Sequence, residues 1–414
     1  MVNYLYDCYQ VLSKVYGEKA FLKQAINSTF LEPKNKALTI KTCYGVLDKE
    51  EELSYTISYF APKSPKLAIR TILKIAMYAI KYLEKQGYAI TKNAVELTKK
   101  LGKGGASGFV NAFLRKFINE KVKLPTNEIK RLSVEYCFPE FAVKELVDFY
   151  GKEKTISILS SKNEMSCLSF YDVNGEEYLK DKGIEFVKTP FENVYFVKNF
   201  VRNEDYDKGV YTFQSIGSVA ICSVVDGGEK LLDCCSAPGG KSIRLSKKFN
   251  KVFSWDIHPH RVDLIKDYKE RMGIKNICES VNDASIFNHE YEGYFDAVLC
   301  DAPCSGLGVV GDNPDIKLNR TLDSVLELNK LQISILNTVS KYVKVGGYLY
   351  YSTCSILNRE NKAIIDLFMC DKTNYKLIDI TCELAHFKVD KTLQFLPDES
   401  CGAGFYVAKL KRVK

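Results

Sequence analysis

The stretch Leu231-Leu232-Asp233-Cys234-Cys235-Ser236-Ala237-Pro238-Gly239-Gly240-Lys241-Ser242 decides how this chain is read. A short apolar run delivers a carboxylate, a turn with two glycines follows, and Lys241-Ser242 opens a helical segment. A strand that runs into a glycine turn and then a helix lets backbone groups approach a ligand closely. The generic Gly-x-Gly-x-x-Gly pattern is absent, and Ala-Pro-Gly-Gly-Lys stands in its place. Apolar runs of the same kind recur at Val252–Trp255, Phe295–Cys300 and Tyr348–Ser352, separated by helical lengths. Buried runs so spaced predict a parallel sheet with crossover helices, which binds ligands at the carboxyl ends of its strands.

The polar residues collect at those ends. Asp256 closes the second strand 16 positions after Gly240, where doubly wound folds hold ribose hydroxyls. Asp283 lies where a third strand could end. In Phe295-Asp296-Ala297-Val298-Leu299-Cys300-Asp301-Ala302-Pro303-Cys304-Ser305-Gly306-Leu307-Gly308 a strand delivers a carboxylate and then a thiol. Gly346 to Ser355 does something similar with Cys354. Two cysteines therefore sit just past the ends of two different strands, whereas a packing cysteine belongs inside a strand, as Cys300 does.

Around this region the chain has 414 residues, a length for two or three domains, with the 46% hydrophobic and 27% charged content of a globular protein. The greasiest stretch, Leu67–Leu83, is interrupted by Arg70, Lys74 and Lys81, so no membrane span is expected. No basic flank followed by an apolar core opens the chain, so no signal peptide is expected and a cytoplasmic location is. In that setting the fourteen cysteines are not a disulfide framework. No Cys-x-x-Cys pair occurs and only four histidines are present, so no metal site is expected and most thiols are read as small buried hydrophobes.

The net charge of +8 is unevenly spread. Residues 1–125 hold 21 lysines and arginines against 10 aspartates and glutamates, while the other 289 residues hold 38 against 41. A polyanion such as structured RNA fits this segregation, and a solvated lysine-rich surface fits it equally on charge alone. The first segment reads as helical: Ile69, Ile72, Leu73, Ala76, Ile80 and Leu83 recur at helical steps, with Arg70, Lys74 and Lys81 assigned to a basic outer face. Lys99 to Gly108 lacks the closing Gly-Lys-Ser/Thr of a P-loop and is read as a basic turn before a helix, Phe109 to Phe117. Pro125-Thr126-Asn127 marks a boundary. Strand-like runs such as Val194–Val197 and acidic turns such as Asn203–Asp207 then suggest a small α+β domain to about residue 225. The division is thus 1–125 helical, 126–225 α+β and 226–414 Rossmann-like α/β.

Taken together, Asp-x-Cys-x-Ala-Pro-Gly-Gly-Lys at 233–241, Asp-Ala-Pro-Cys-Ser at 301–305, Asn-Pro-Asp-Ile-Lys at 313–317 and Ser-Thr-Cys-Ser at 352–355 resemble the signature motifs of the Sun/Nop group of RNA cytosine-5 methyltransferases. Cys43 to Leu47 and Phe109 to Arg115 resemble the NusB-type RNA-binding module. The combination points to the bacterial RsmB branch of that group, which modifies small-subunit (16S) ribosomal RNA.

The resemblance implies S-adenosyl-L-methionine as cofactor, Cys354 as nucleophile, Cys304 as the second cysteine that assists release, and Asp301 on the cytosine edge. Cofactor contacts implied are the loop Cys235, Ser236, Ala237, Pro238, Gly239, Gly240 and Lys241, with Asp256, Asp283 and Asp301. Lys241 is in addition the candidate positive neighbour of the Cys354 thiol. The partner implied is 16S ribosomal RNA, unassembled or partly assembled, with no DNA and no membrane, and the protein is expected to be a monomer. Competing readings are another RNA substrate such as tRNA, or an RNA-binding module that has lost activity. A DNA cytosine methyltransferase would use the cysteine after proline and lack the Cys354 motif. Against the group's pattern, Asn282 precedes Asp283 where glycine is usual, Ser215 follows Gln214 where an acidic residue is common, Gly402 to Tyr406 departs from Asp-Gly-Phe-Phe, and Leu168 to Tyr171 lacks an arginine.

Overall fold

A computed structural model describes residues 2–162, 165–400 and 402–414. The chain forms two compact units: one runs up to Asp148 and includes Val310–Thr321, and the other comprises Phe149–Val309 and Leu322–Lys414. Compactness thus groups the chain by a different criterion from the three segments above.

The first unit is all helical. Its helices are α1 (Val2–Glu18), α2 (Leu22–Asn27), α3 (Lys36–Asp48), α4 (Glu50–Phe60), α5 (Leu67–Lys81), α6 (Gly87–Lys100), α7 (Ser107–Asn119), α8 (Glu128–Tyr136) and α9 (Glu140–Tyr150), the last crossing into the second unit. Helix α5 packs against α1, α3, α4, α6 and α7 and is the hub of the bundle. Its expected basic outer face is not a continuous one: Ile69 and every residue from Thr71 to Ala79 are buried, Lys74 among them, Arg70 is half-buried and, of its cations, only Lys81 in the last turn is exposed. The Lys74 ammonium pairs with Glu50 and lies 4.6 Å over the Tyr16 ring, and Lys81 pairs with Glu52 at 2.5 Å. A helix packed against five others keeps little solvent face, so Lys74 and Lys81 turn to the acidic first turn of α4. The turn at Gly104–Ala106 and the helix after it are as expected, with Lys99, Lys100, Lys103, Arg115 and Lys116 exposed. Asn127 is the N-cap of α8, accepting from the Lys130 N–H at 2.9 Å.

The segment Val310–Thr321 is fastened within the helical unit by polar contacts at helix ends. Asp315 accepts from the Leu22 N–H at the start of α2 (3.1 Å). Buried Lys317 donates to the carbonyls of Asp48 and Cys137, each at 2.9 Å, where α3 and α8 end. A cation at two helix C-termini satisfies carbonyls that have no intrahelical partner.

The second unit opens with α10 (Lys152–Ser160). It continues with β1 (Met165–Phe170), α11 (Gly175–Asp181), β2 (Phe186–Lys188), β3 (Val194–Lys198), α12 (Glu204–Asp207) and β4 (Tyr211–Phe213). These strands make an antiparallel sheet of order β2-β3-β1-β4. The acidic turn proves to be α12, because Asn203 caps it through the Asp205 N–H. After α13 (Ile216–Ser223) come β5 (Gly228–Asp233), α14 (Gly240–Leu245), β6 (Phe249–Asp256), α15 (Pro259–Arg271), β7 (Ile277–Val281), β8 (Phe295–Asp301), α16 (Leu322–Val339), β9 (Val343–Thr353) and α17 (Lys362–Cys370). The chain closes with β10 (Tyr375–Ile378), β11 (Phe387–Val389), β12 (Thr392–Phe395) and β13 (Phe405–Arg412).

The main sheet runs β11-β12-β13-β9-β8-β5-β6-β7, parallel from β9 to β7, with β10 also on β13. The sequence reading finds this parallel part and misses the antiparallel addition on β9. Adjacent residues point to opposite faces: Leu231, Leu299 and Tyr350 enter one apolar core, and Leu232, Val298 and Tyr351 the other. Covering both faces is what leaves only the strand ends open to ligands. Thirteen of the cysteines fall within the described residues, Cys401 lying outside them. Six of these are buried as expected, but Cys278 and Cys370 are exposed, so packing does not account for those two. Among the described residues no helix is long and apolar enough to cross a membrane.

Candidate active site

The site lies wholly in the second unit, at the carboxyl ends of β5, β6, β8 and β9. Gly239 adopts φ +105°, a left-handed conformation that favours glycine, and α14 starts at Gly240. A Cβ on Gly240 would meet nothing closer than the Gln214 amide nitrogen at 3.8 Å, so the turn is open above its backbone. Beneath it Asp233 is fully buried. Its Oδ2 accepts from Ser242 (2.7 Å), while Oδ1 has no partner, and burial pushes the carboxyl up to about 7. The buried carbonyl oxygen of Gln214 is likewise unpartnered, although its amide nitrogen donates to the Gly240 carbonyl at 3.0 Å. An open glycine turn with orphaned buried oxygens beside it fits a polar, cationic cofactor.

Strand ends supply the other expected groups. Asp256 is buried at the end of β6, accepting from the His258 N–H (3.1 Å) and pairing with Arg261 at 3.3 Å. Arg261 also reaches the Ala237 carbonyl (3.3 Å), which ties the second strand end to the glycine turn. Asp283, two residues past β7, turns one oxygen to the N–H and hydroxyl of Ser285. Ser236 donates to the Trp255 carbonyl (3.0 Å) and Cys235 faces the Cys234 sulfur at 4.0 Å.

The two cysteines meet. Cys304 Sγ lies 3.2 Å from Cys354 Sγ, although 50 residues separate them in sequence. Hydrogen bonding to Cys354, burial, and the charges of Cys354 and Glu360 push the Cys304 thiol well above the ordinary thiol range. Lys241 does not join this pair. Its ammonium donates to Asp301 Oδ2 at 2.6 Å, and that carboxylate holds it well above the ordinary lysine range. Asp301 Oδ1 accepts from Ser352 (2.7 Å), so the carboxylate at the end of β8 is fixed at one oxygen from α14 and at the other from β9.

Several site residues lie outside the sequence reading. Glu360 is fully buried and accepts from the Ser305 N–H, the Ser305 and Ser355 hydroxyls and the Gln332 amide. Asn361 donates to the Ser355 carbonyl at 3.0 Å. The available signal was the repeated Cys-Ser at 304–305 and 354–355, but nothing around Asn358-Arg359-Glu360-Asn361 distinguishes it from a polar turn. The departures also find places. Gly404 lies on Gly308, where a Cβ on Gly308 would come within 2.0 Å of the Gly404 carbonyl oxygen. Ser169, in the segment without arginine, receives Arg244 at 2.9 Å. Among the described residues no group of three or more histidine, cysteine or acidic side chains is placed to hold a metal ion.

Comparison with known proteins adds a family to this geometry. A family model described as 16S rRNA methyltransferase RsmB/F matches residues 222–411, and one described as the NusB family matches residues 3–119. The chain is 31% identical to the probable ribosomal RNA small subunit methyltransferase B of Bacillus subtilis (strain 168), over 94% of each chain. It is 28% identical to the ribosomal RNA small subunit methyltransferase B of Salmonella arizonae, over 91% of this chain and 90% of that one. The solved structure of PH0851 superposes with a TM-score of 0.83 at 21% identity, covering 99% of this chain and 98% of that chain. NSun6 from Pyrococcus horikoshii, solved with SFG, gives a TM-score of 0.59 at 18% identity, covering 67% of this chain and 99% of that one.

Proposed function

The chain belongs to the RsmB/F family of 16S ribosomal RNA methyltransferases, which depend on S-adenosylmethionine, and on that premise we propose that it forms 5-methylcytosine in 16S ribosomal RNA through a covalent Cys354 adduct. The single observation that carries this reading is the pair of thiols, brought from two strand ends to 3.2 Å beside the Lys241–Asp301 pair. When bound, S-adenosylmethionine supplies an electrophilic methyl group. Asp233, Gly239, Gly240 and Asp256, with Cys235 to Lys241 and Asp283, form the cofactor side of the site.

Carbon 5 of cytosine is a weak nucleophile, and addition of the Cys354 thiolate at carbon 6 converts it into the nucleophilic end of an enamine. Asp301, fixed by Lys241 and Ser352, hydrogen-bonds the N3 and amino edge and stabilises the protonated ring as the thiolate adds. After methylation the carbon 5 proton passes to solvent water, the electrons of that C–H bond re-form the 5,6 double bond, and the carbon 6–sulfur bond breaks to expel Cys354. Cys304, held as a thiol, donates toward the departing sulfur and so assists release. The target base must leave its stack to reach these groups. Residues 1–125 dock the RNA, 126–225 position it and 226–414 carry the chemistry.

The test is Cys354→Ala, which abolishes methyl transfer and keeps cofactor binding. Normal methylation by that variant would refute the assignment. Mapping 5-methylcytosine in RNA from cells with and without the protein tests the substrate: loss of a mark confined to tRNA, or loss of none, would favour the competing readings.

A further inference from the structure

The two loops that carry the thiols are joined twice. On one level the Cys304 and Cys354 sulfurs are 3.2 Å apart, and on the next the Ser305 and Ser355 hydroxyl oxygens are 3.3 Å apart. Glu360 closes the serine level from the buried side. Its Oε1 accepts from the Ser305 N–H (2.7 Å) and Gln332 Nε2 (3.2 Å), and its Oε2 from the Ser305 and Ser355 hydroxyls, both at 2.5 Å. These four donors are neutral, so the carboxylate is a buried anion held by hydrogen bonds alone. Such a group is costly to bury, and packing by itself is served as well by an apolar side chain. What a carboxylate does that neither an amide nor a hydrocarbon does is accept at both oxygens at once. Three of its four bonds go to the residues immediately after the two thiols.

We propose that Glu360 is a positioning residue, which clasps the Cys304 and Cys354 loops together and sets the spacing of the two thiols for addition and release. The inference rests on the reading of Cys354 and Cys304 as the reacting pair. The clasp is braced on both sides. Gln332 also donates to the Pro303 carbonyl (3.0 Å), the Gly308 N–H donates to the Cys354 carbonyl (2.9 Å), and Asn361 and Gln394 both donate to the Ser355 carbonyl. Glu360 lies in a single turn right after β9, so one short segment carries both the nucleophile and the group that aligns it. Its negative charge adds to the other influences that keep Cys304 protonated, which suits a residue that donates to a departing sulfur. Glutamine in its place keeps the volume, presents an N–H₂ group to one pair of donors and removes the charge.

The experiment compares full-length wild type, Glu360→Gln and Ser355→Ala. Methyl transfer to 16S ribosomal RNA is measured beside the dissociation constant for S-adenosylmethionine. Independently, the thiol pair is equilibrated with glutathione disulfide, in which two protein thiols become one Cys304–Cys354 disulfide and one glutathione disulfide becomes two glutathiones. The yield, mapped by mass spectrometry, gives the effective concentration of one sulfur at the other. Glu360→Gln is expected to lower both kcat and that effective concentration by about tenfold or more while cofactor affinity stays within about twofold. Ser355→Ala, which keeps the carboxylate and removes one of its four donors, moves both in the same direction by a smaller factor and serves should Glu360→Gln not fold. An unchanged effective concentration, or an unchanged kcat, in whichever variant folds overturns the proposal. If Cys354→Ala still methylates, the reading of the reaction fails, yet the thiol equilibrium still judges the clasp.

Discussion

At the scale of single residues, the site sets ionised groups beside groups that resist ionisation. Lys241 and Asp301 neutralise each other at 2.6 Å, while Asp233 is buried with one oxygen unpartnered and its carboxyl raised to about 7. In the unfolded chain the same carboxyl titrates near 3.8. The folded state therefore binds its proton more tightly, and the resulting stability is fully present below the unfolded value and is lost as pH rises through about 7. Asp233→Asn keeps an acceptor for Ser242 and removes the titration. Denaturant unfolding of the cofactor-free protein at pH 5 and pH 8 is expected to show a fall in stability of about 3 kcal/mol in wild type that is missing from the variant. Equal pH dependence in the two proteins would contradict it. Every site residue chosen from the sequence lies at a strand end, in a turn or, for Gly240 and Lys241, at the start of α14. Lys241 as neighbour of the Cys354 thiol is different, because a nearby carboxylate competes for an ammonium and Asp301 is 60 positions away. Glu360 was illegible for a related reason: its function consists only of its partners, and these come from three separate segments.

Elements show why periodicity is a good guide to a helix and a poor guide to its surroundings. The apolar spacing of Leu67–Leu83 gives α5 correctly, yet a three-residue cationic stripe on a hub helix is not a surface. Lys74 and Glu50 are both nearly buried, and Tyr16 donates to the same carboxylate at 2.6 Å. Lys74→Met removes the cation and leaves that carboxylate uncompensated, at a cost of about 3–5 kcal/mol. Thermal unfolding of the variant is expected to show this loss, and a melting temperature equal to wild type would return Lys74 to the surface. The parallel strands were legible because each is a short apolar run ending in a polar group. The antiparallel strands on β9 were not, since the pattern at Gly402 to Tyr406 says nothing about which strand pairs with it, and Tyr406 to Lys411 is fixed by pairing with Tyr348–Thr353.

For the whole molecule, the +11 of the first 125 residues survives as a surface property once the buried and paired cations are set aside. Lys99, Lys103 and Arg115 are exposed around the Gly104–Ala106 turn and the helix that follows it. Reversing these three charges is expected to weaken binding to 16S ribosomal RNA and to reduce the slope of log affinity against log salt by about 2–3. An unchanged slope would make them a solvated surface. The methyltransferase family was legible because its motifs are local strings at strand ends, whereas the two compact units were not, since Val310–Thr321 joins the first unit only through tertiary contacts such as those of Lys317. The central claim remains that Cys354 forms the adduct and Cys304 releases it. The most direct measurement incubates Cys304→Ala with 16S ribosomal RNA and S-adenosylmethionine and separates the products on a denaturing gel. A protein–RNA species that survives denaturation, and is lost when Cys354→Ala is added, is the predicted result. No such species from the single variant, or its persistence in the double variant, would contradict the account.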